Sequence, residues 1–153
     1  MKKDVFITIK SIQTVENEQD ITELSTFGSL YRREKDKDKM NYVITYDESE
    51  ATGFEGSKTT LTLDGDERVT LIRSGSTSSN LIIEKDKKHH CHYGTLYGDF
   101  MLGIQAEKIE STVSDIGGDI YFKYTIDINS GYVSENEIYV NIKEVEDKNV
   151  ESN

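Results

Sequence analysis

Hydrophobic and polar side chains alternate with a period of two between residues 118 and 144. Apolar or aromatic side chains occupy every second position from Ile120 to Ile128 and again from Ile138 to Ile142, with polar or charged residues between them. Successive side chains of a β-strand point to opposite faces, so this pattern predicts two strands that each bury one face. The turn-forming sequence at residues 129–131 lies between them, which favours an antiparallel hairpin.

The same alternation recurs in shorter segments along the rest of the chain. It predicts eight further strands, at residues 3–13, 21–33, 41–48, 58–63, 69–73, 81–84, 89–93 and 99–113. For residues 21–33 an amphipathic helix is the alternative. As a strand the segment is expected to contain a bulge at Gly28, because Leu24, Phe27 and Leu30 do not share a parity. Another bulge is predicted near Glu107 and Lys108, where the apolar positions change parity.

Many short strands without a convincing long helix indicate an all-β sandwich or barrel. Consecutive hairpins favour a single antiparallel, mostly up-and-down β-barrel of about 8–10 strands, because closure removes exposed edges. We expect residues 1–146 to form this one domain and residues 147–153 to form a polar C-terminal tail. A barrel of this size either fills its interior with side chains or holds one small ligand.

Charge and composition narrow the partners and the location of the protein. The 153 residues carry a net charge of −11 that is spread along the chain, which argues against nucleic acid or an anionic membrane as partner. Cys91 is the single cysteine, so nothing indicates an oxidising compartment. The first residues alternate rather than form a signal peptide, and no apolar run approaches the ~20 residues of a membrane span. We therefore expect a soluble cytoplasmic protein.

Several short motifs occur in an order that resembles a known family. They are Tyr46-Asp47-Glu48-Ser49 with Gly53-Phe54-Glu55-Gly56, Thr59-Thr60-Leu61, Ile72-Arg73-Ser74-Gly75, Tyr93-Gly94-Thr95-Leu96-Tyr97-Gly98, and a closing hairpin that opens at Gly117-Gly118 and holds Tyr121 and Tyr124. Together they resemble the YwiB-like family of small bacterial proteins, uncharacterised β-barrels grouped with the calycins, over nearly the whole chain. The resemblance implies a lipocalin-like barrel and a cytoplasmic bacterial setting, and it implies no function. The lipocalin Gly-x-Trp signature is absent, since the chain has no tryptophan.

Arg73 is the most informative charged position. It falls on the buried face of its predicted strand, and a buried guanidinium must be paired or hydrogen-bonded. Glu48 shares the inner face of the strand that holds Tyr46, so it is a candidate partner. Such a pair inside a barrel orients an anionic or polar ligand, with Tyr46 and Tyr124 as ligand-binding neighbours. Alternatively, Arg73 reaches water from the strand end or makes a structural ion pair.

The inner faces of the predicted strands are also rich in aromatic side chains. These are Tyr42, Tyr46, Phe100, Phe122 and Tyr124. They either line a ligand cavity, with tyrosine hydroxyls as donors, or pack as a filled core.

Residues 89–92 form the strongest candidate for metal or enzyme chemistry. In a strand His90 and His92 share one face, while His89 and Cys91 share the other. Two imidazoles bind a transition metal only with further ligands from other strands, and the sequence contains no second cluster. Cys91 is a weaker candidate, as a nucleophile beside histidines. We expect no metal, because the spacing of the histidines lacks a full ligand set. We expect no cofactor either, since the loop at residues 53–56 lacks the Lys-Ser/Thr pair of a phosphate-binding loop.

Three functions of different classes are compatible with these features. The first is a non-catalytic barrel that binds a small ligand through the Arg73–Glu48 pair. The second is a structural or protein-interaction barrel that acts through its surface or as a homodimer. Four outward apolar positions would mark such an interface if they formed one patch: Phe6, Ile12, Ile72 and Ile82. The third is a metal-dependent or Cys/His enzyme that uses residues 89–92.

Overall fold

The computed structural model of the chain describes residues 2–36, 39–48, 55–76, 78–95, 98–128 and 131–145. Ten β-strands occupy most of them: β1 (Lys2–Val15), β2 (Glu18–Asp36), β3 (Lys39–Asp47), β4 (Ser57–Asp64), β5 (Arg68–Gly75), β6 (Ser79–Glu84), β7 (Lys88–Thr95), β8 (Gly98–Ser111), β9 (Gly117–Ile128) and β10 (Gly131–Glu144). None of the described residues is helical, so the helical alternative for residues 21–33 is wrong. In this described part of the chain, no helix is long and apolar enough to cross a membrane.

Three predicted features lie outside the described residues. They are the polar tail at residues 147–153, the first two residues of the loop at 129–131, and the first two of the glycine-containing loop at 53–56.

The ten strands close into one antiparallel barrel. Each strand pairs with its neighbours in sequence, and β1 pairs with β10 to complete the circle. The predicted all-β, mostly up-and-down barrel of about 8–10 strands is therefore confirmed. The seam between β6 and β7 has a single register pair, Ser79 opposite Tyr93. Beside it, the Cys91 thiol accepts the Ile82 N–H at 3.3 Å, so a side chain takes the place of a backbone acceptor.

Apolar side chains fill the end of the barrel where β1 begins and β2 ends, which we call the closed end. The fully buried side chains there include Val5, Ile7, Leu30, Ile44, Leu63, Val69, Ile83, Ile104, Ile109, Ile120 and Ile142. They occupy inward positions of the alternating pattern, as the sequence predicted. Burying each of them contributes about 1.5–3 kcal/mol to folding.

Gly28 does not form a bulge, and that prediction is wrong. β2 pairs with β1 in one unbroken register. Leu24 and Leu30 are buried on the inner face, whereas Phe27 points outward with 67% of its surface exposed. The strand therefore needs no bulge to bring its buried residues to one face. Gly28 instead supplies space, because a Cβ at this position would collide with the carbonyl oxygen of Thr45 on the neighbouring strand β3.

The bulge predicted in β8 is present. The register between β8 and β9 shifts between Ala106 and Lys108. The extra residue lets Ile104 and Ile109 both point into the core although their positions differ in parity. Phe100, which the pattern also assigned to the core, is exposed because it lies near the start of β8 at the other end of the barrel.

The loop between β8 and β9 ties together strands at the closed end that do not pair with one another. The Asp115 carboxylate accepts hydrogen bonds from Arg32 Nη1 and from the Tyr42 hydroxyl, both at 2.9 Å. These donors lie on β2 and β3, which β10 and β1 separate from β9 in the barrel order. Burial and the bond to Asp115 raise the pKa of Tyr42, so its hydroxyl remains a donor.

We expect Asp115→Ala to lower the free energy of unfolding by about 1 kcal/mol. The effect is modest because the Asp115 side chain is 39% exposed and water screens its pair with Arg32. Urea denaturation measures the change. Glu110→Ala is the control. Glu110 makes an exposed 3.6 Å ion pair with Lys108 on β8, the strand that precedes the Asp115 loop. Equal effects of the two substitutions would contradict a stabilising role for the Asp115 loop.

Candidate functional site

A cavity of about 570 Å³ lies inside the other end of the barrel, where β1 ends and β2 begins, which we call the open end. Apolar side chains form much of its wall, among them Leu24, Leu61, Leu81, Leu102, Phe122 and Val140. The volume falls within the range of about 300–1,000 Å³ that is usual for small-ligand pockets. Side chains therefore fill only one half of the barrel interior.

Four of the five aromatic residues expected on inner faces border this cavity: Tyr46, Phe100, Phe122 and Tyr124. Phe122 and Tyr124 stack with ring centroids 5.9 Å apart. The fifth, Tyr42, packs at the closed end against Asp115.

Strand register places a row of polar side chains around one side of the cavity. Tyr46 lies opposite Thr59, Thr59 opposite Arg73, Arg73 opposite Ser79, and Ser79 opposite Tyr93, across β3 to β7. We call these five residues the polar belt. Directly opposed residues of antiparallel strands have Cβ atoms about 4.5–5.5 Å apart, so each is the neighbour of the next.

Glu48 joins the belt from the end of β3. Its backbone N–H donates to the Ser57 carbonyl oxygen at 2.8 Å, which keeps the chain in line with β4 beyond the last paired residue. The Glu48 carboxylate accepts a hydrogen bond from the Thr59 hydroxyl and lies 3.5 Å from Arg73 Nη2. Arg73 Nη1 also donates to Ser79 Oγ at 3.3 Å. The carboxylate and the guanidinium are thus held by neutral partners as well as by each other.

The ion pair between Glu48 and Arg73 is buried. The Glu48 side chain is 2% exposed and that of Arg73 is 15% exposed, so only a small part of the Arg73 side chain contacts solvent. A carboxylate this deeply buried needs a charge partner. The predicted partnership of the two residues is present, and Arg73 also borders the cavity.

Tyr46 and Tyr124 bring hydroxyl groups close to Arg73. Burial raises the pKa of Tyr46, and the negative charge of Glu48 and a hydrogen bond to its carboxylate raise it further. The positive charge of Arg73 and a hydrogen bond with Thr59 oppose this shift. Burial also raises the pKa of Tyr124, with an added contribution from Tyr93 and again opposition from Arg73. Both hydroxyls therefore stay protonated at neutral pH and act as neutral hydrogen-bond donors.

A second polar group lies on the wall formed by β10. Ser134 and Asn136 are buried, and the Asn136 side-chain amide donates to Ser134 Oγ at 3.0 Å. Asn136 is opposite Tyr124 in the register, so it continues the polar lining beyond β9. Both residues border the cavity.

The sequence reading missed four buried polar residues of the site: Thr59, Ser79, Ser134 and Asn136. A signal for them exists in the alternating pattern. Asn136 has the parity of Ile138, and Ser79 has the parity of Leu81, so each continues an inner face beyond the last apolar residue. Following the alternation past its apolar positions would have found them.

The histidines of β7 are not brought together with further metal ligands. His90 is exposed on the outer face, and His92 Nε2 lies 3.4 Å from the Asp99 carboxylate. His89 Nε2 lies 2.9 Å from Glu84 Oε1. Among the residues that the structure describes, no group of three or more His, Cys, Asp or Glu side chains is arranged to hold a metal ion.

Cys91 has the surroundings of a structural thiol. It is buried on the inner face, and this burial raises its pKa, although the N–H of Ile82 opposes the shift. The thiolate is the nucleophilic form of cysteine, and a raised pKa lowers its population at neutral pH. The geometry of β7 therefore gives no support to the enzyme alternative.

The outward apolar residues do not form the single patch that would have marked an interface. Phe6 and Ile12 lie on β1, whereas Ile72 and Ile82 lie on β5 and β6 on the opposite side of the barrel. Phe6 instead meets Phe27 of β2 edge to face, with ring centroids 5.2 Å apart.

The fold and the site together define the class of protein: a ten-stranded up-and-down β-barrel with a cavity at one end, whose mainly apolar wall carries a few polar side chains. Residues 7–140 match the family described as "Domain of unknown function (DUF1934)", and the chain belongs to that family.

The structure is similar to the crystal structure of the ywiB protein from Bacillus subtilis. The TM-score is 0.75 at 16% sequence identity, and the match covers 95% of this chain and 94% of that chain. This likeness shows a shared fold, and with the family match it confirms the YwiB-like resemblance inferred from the sequence motifs. The closed barrel is consistent with the calycin grouping. No curated protein matches the sequence.

Proposed function

We propose that the protein is a non-catalytic, cytoplasmic barrel that binds one small molecule in the cavity at its open end. The observation that carries this proposal is the cavity of about 570 Å³, whose apolar wall is interrupted by Tyr46, Arg73 and Tyr93 of the polar belt and by Glu48. Ligand pockets are typically apolar with a few polar groups that fix the orientation of the ligand. Analogy with the lipocalin-like calycins supports the proposal at the level of the fold.

In this proposal Arg73 is the principal contact for the polar group of the ligand. Glu48 and Ser79 hold the guanidinium in place, so little side-chain freedom is lost when a ligand binds. The Tyr124 hydroxyl adds a neutral donor beside it, and Tyr46 borders the cavity with its hydroxyl hydrogen-bonded to Glu48 and Thr59. Phe122 and the leucine side chains of the wall contact the apolar body of the ligand.

Native mass spectrometry of the protein, before and after incubation with a bacterial extract of metabolites and lipids, tests this function. We expect a discrete added mass in the wild-type protein and a loss of at least ~10-fold in its occupancy in Arg73→Gln, because removal of a charged hydrogen-bond donor costs about 1.5–3 kcal/mol. Arg68→Gln is the matched control on the same strand. It is exposed and pairs with Asp64 at 2.8 Å outside the cavity, so it should retain the mass.

Circular dichroism checks that both arginine variants are folded. Peaks of the free monomer alone, with and without extract, would contradict ligand binding.

Phe27, which is exposed and packs against the half-buried Phe6, favours a second candidate, a barrel that acts through its surface or as a homodimer. Exposed aromatic side chains are common anchors of protein interfaces. The same spectra distinguish the two functions, since peaks of a ligand-free dimer would favour the surface role.

A further inference from the structure

We propose that the ligand group that meets Arg73 is uncharged: a carbonyl, carboxamide or hydroxyl oxygen rather than a carboxylate, a phosphate or an ammonium. This inference rests on the proposed ligand-binding function and names the chemical class of its ligand.

The first reason is the charge balance of the buried pair. The Glu48 carboxylate is 3.5 Å from Arg73 Nη2 and is almost completely buried, so it stays beside the guanidinium when the cavity is occupied. An anionic ligand that reaches Arg73 also approaches Glu48, and like charges at close range in a poorly solvated site repel. The attraction of an anion to Arg73 is therefore largely cancelled. At long range, the net charge of −11 of the protein also repels an anionic ligand.

The second reason is that Glu48 is not accessible to a cationic ligand. The Thr59 hydroxyl and Arg73 both contact its carboxylate, and its side chain is only 2% exposed. Two other acidic residues border the cavity, Asp20 and Glu137. Asp20 is exposed at the mouth, and the Glu137 carboxylate accepts the Tyr121 hydroxyl at 3.3 Å. An ammonium group inside the cavity would face the guanidinium instead of a carboxylate.

The third reason is that the groups around Arg73 are neutral donors. Tyr124 borders the cavity close to the guanidinium with a neutral hydroxyl. Tyr46 also borders it, with its hydroxyl hydrogen-bonded to Glu48 and Thr59, and the amide and hydroxyl of Asn136 and Ser134 continue the lining on β10. Such a set satisfies an acceptor oxygen, with an adjacent N–H or O–H of the ligand directed to the asparagine side. A carboxamide or a hydroxyl group supplies both.

Three probes with one apolar body test the inference: 6-phenylhexanamide, 6-phenylhexanoate and 6-phenylhexylammonium, titrated into the full-length protein by isothermal calorimetry at pH 7.5. We expect the amide to bind at least ~10-fold more tightly than either charged probe, a factor that corresponds to one close, unscreened charge repulsion. Glu48→Gln leaves Arg73 without its countercharge. In this variant the preference for amide over carboxylate should fall at least ~10-fold, whereas Glu110→Gln on the outer surface should leave it unchanged.

The outcomes separate this inference from the proposed function. Tightest binding of the carboxylate or the ammonium to the wild-type protein would overturn the inference and leave the function standing. If none of the probes binds while native spectra show a bound mass from the extract, the inference alone fails. If neither binds, both fail. The order in which the wild-type protein binds the three probes tests the inference even if Glu48→Gln does not fold.

Discussion

Replacing Arg73 with methionine is expected to lower the free energy of unfolding by about 3 kcal/mol or more. Methionine keeps most of the length and apolar contact of the side chain but leaves the Glu48 carboxylate, 2% exposed, without its charge partner. The double substitution Arg73→Met with Glu48→Gln removes both charges. It should recover about 2 kcal/mol of this loss, because replacing a whole buried pair is often nearly neutral whereas breaking one is not.

Urea denaturation of the wild-type protein, the two single variants and the double variant at neutral pH gives the interaction energy of the pair. Arg68→Met is the control, since Arg68 makes an exposed pair with Asp64 on the same strand and should change stability by no more than about 0.5–1 kcal/mol. An Arg73→Met effect as small as that of Arg68→Met would mean that Glu48 finds water or another partner, and the buried pair would lose its structural role.

Side-chain alternation predicted most of the residues that face the interior, because the two faces of a strand follow directly from its pleat. The same logic placed the β8 bulge, where the apolar positions change parity. It failed at Gly28, because the differing parity of Phe27 does not reflect a bulge: Phe27 lies on the outer face of the strand. A large aromatic side chain can stay on the surface when a cross-strand neighbour covers part of it, and Phe6 does this for Phe27.

The site was only partly predictable, because its geometry depends on register. Parity showed that Arg73 and Glu48 point inward, but the polar belt exists only because Thr59, Arg73 and Ser79 fall opposite one another. A shift of two residues in either hairpin would preserve every inner face and separate these side chains. The geometry of the turns fixes the register of each hairpin, and the alternating pattern carries no information about that register.

The existence of the cavity was not predictable from the sequence, because it depends on how completely side-chain volumes fill the interior. The two halves of the barrel use similar residues. Leu61 and Leu71 oppose each other beside the cavity, and Leu63 and Val69 oppose each other in the filled half. This similarity allows a direct comparison of the same substitution in a filled and an unfilled part of one wall.

We expect Leu63→Trp to lower the free energy of unfolding by about 3 kcal/mol, because the larger ring must displace close-packed neighbours at the closed end. Leu71→Trp should lower it by less than about 1 kcal/mol, because the indole enters space that is already empty. Urea denaturation measures both. The Leu71 variant should in addition lose the bound mass in native spectra, since the tryptophan occupies the volume that the ligand needs.

Equal destabilisation by the two substitutions would contradict the presence of the cavity, since the open end would then be as tightly packed as the closed end. A stable Leu71→Trp variant that still binds the extract ligand has a different meaning: the cavity is present, but the ligand lies elsewhere. A stable variant that has lost the ligand combines the two observations that the proposed function needs. The space is inside the barrel, and the ligand occupies that space next to Arg73, two residues along the same inner face of β5.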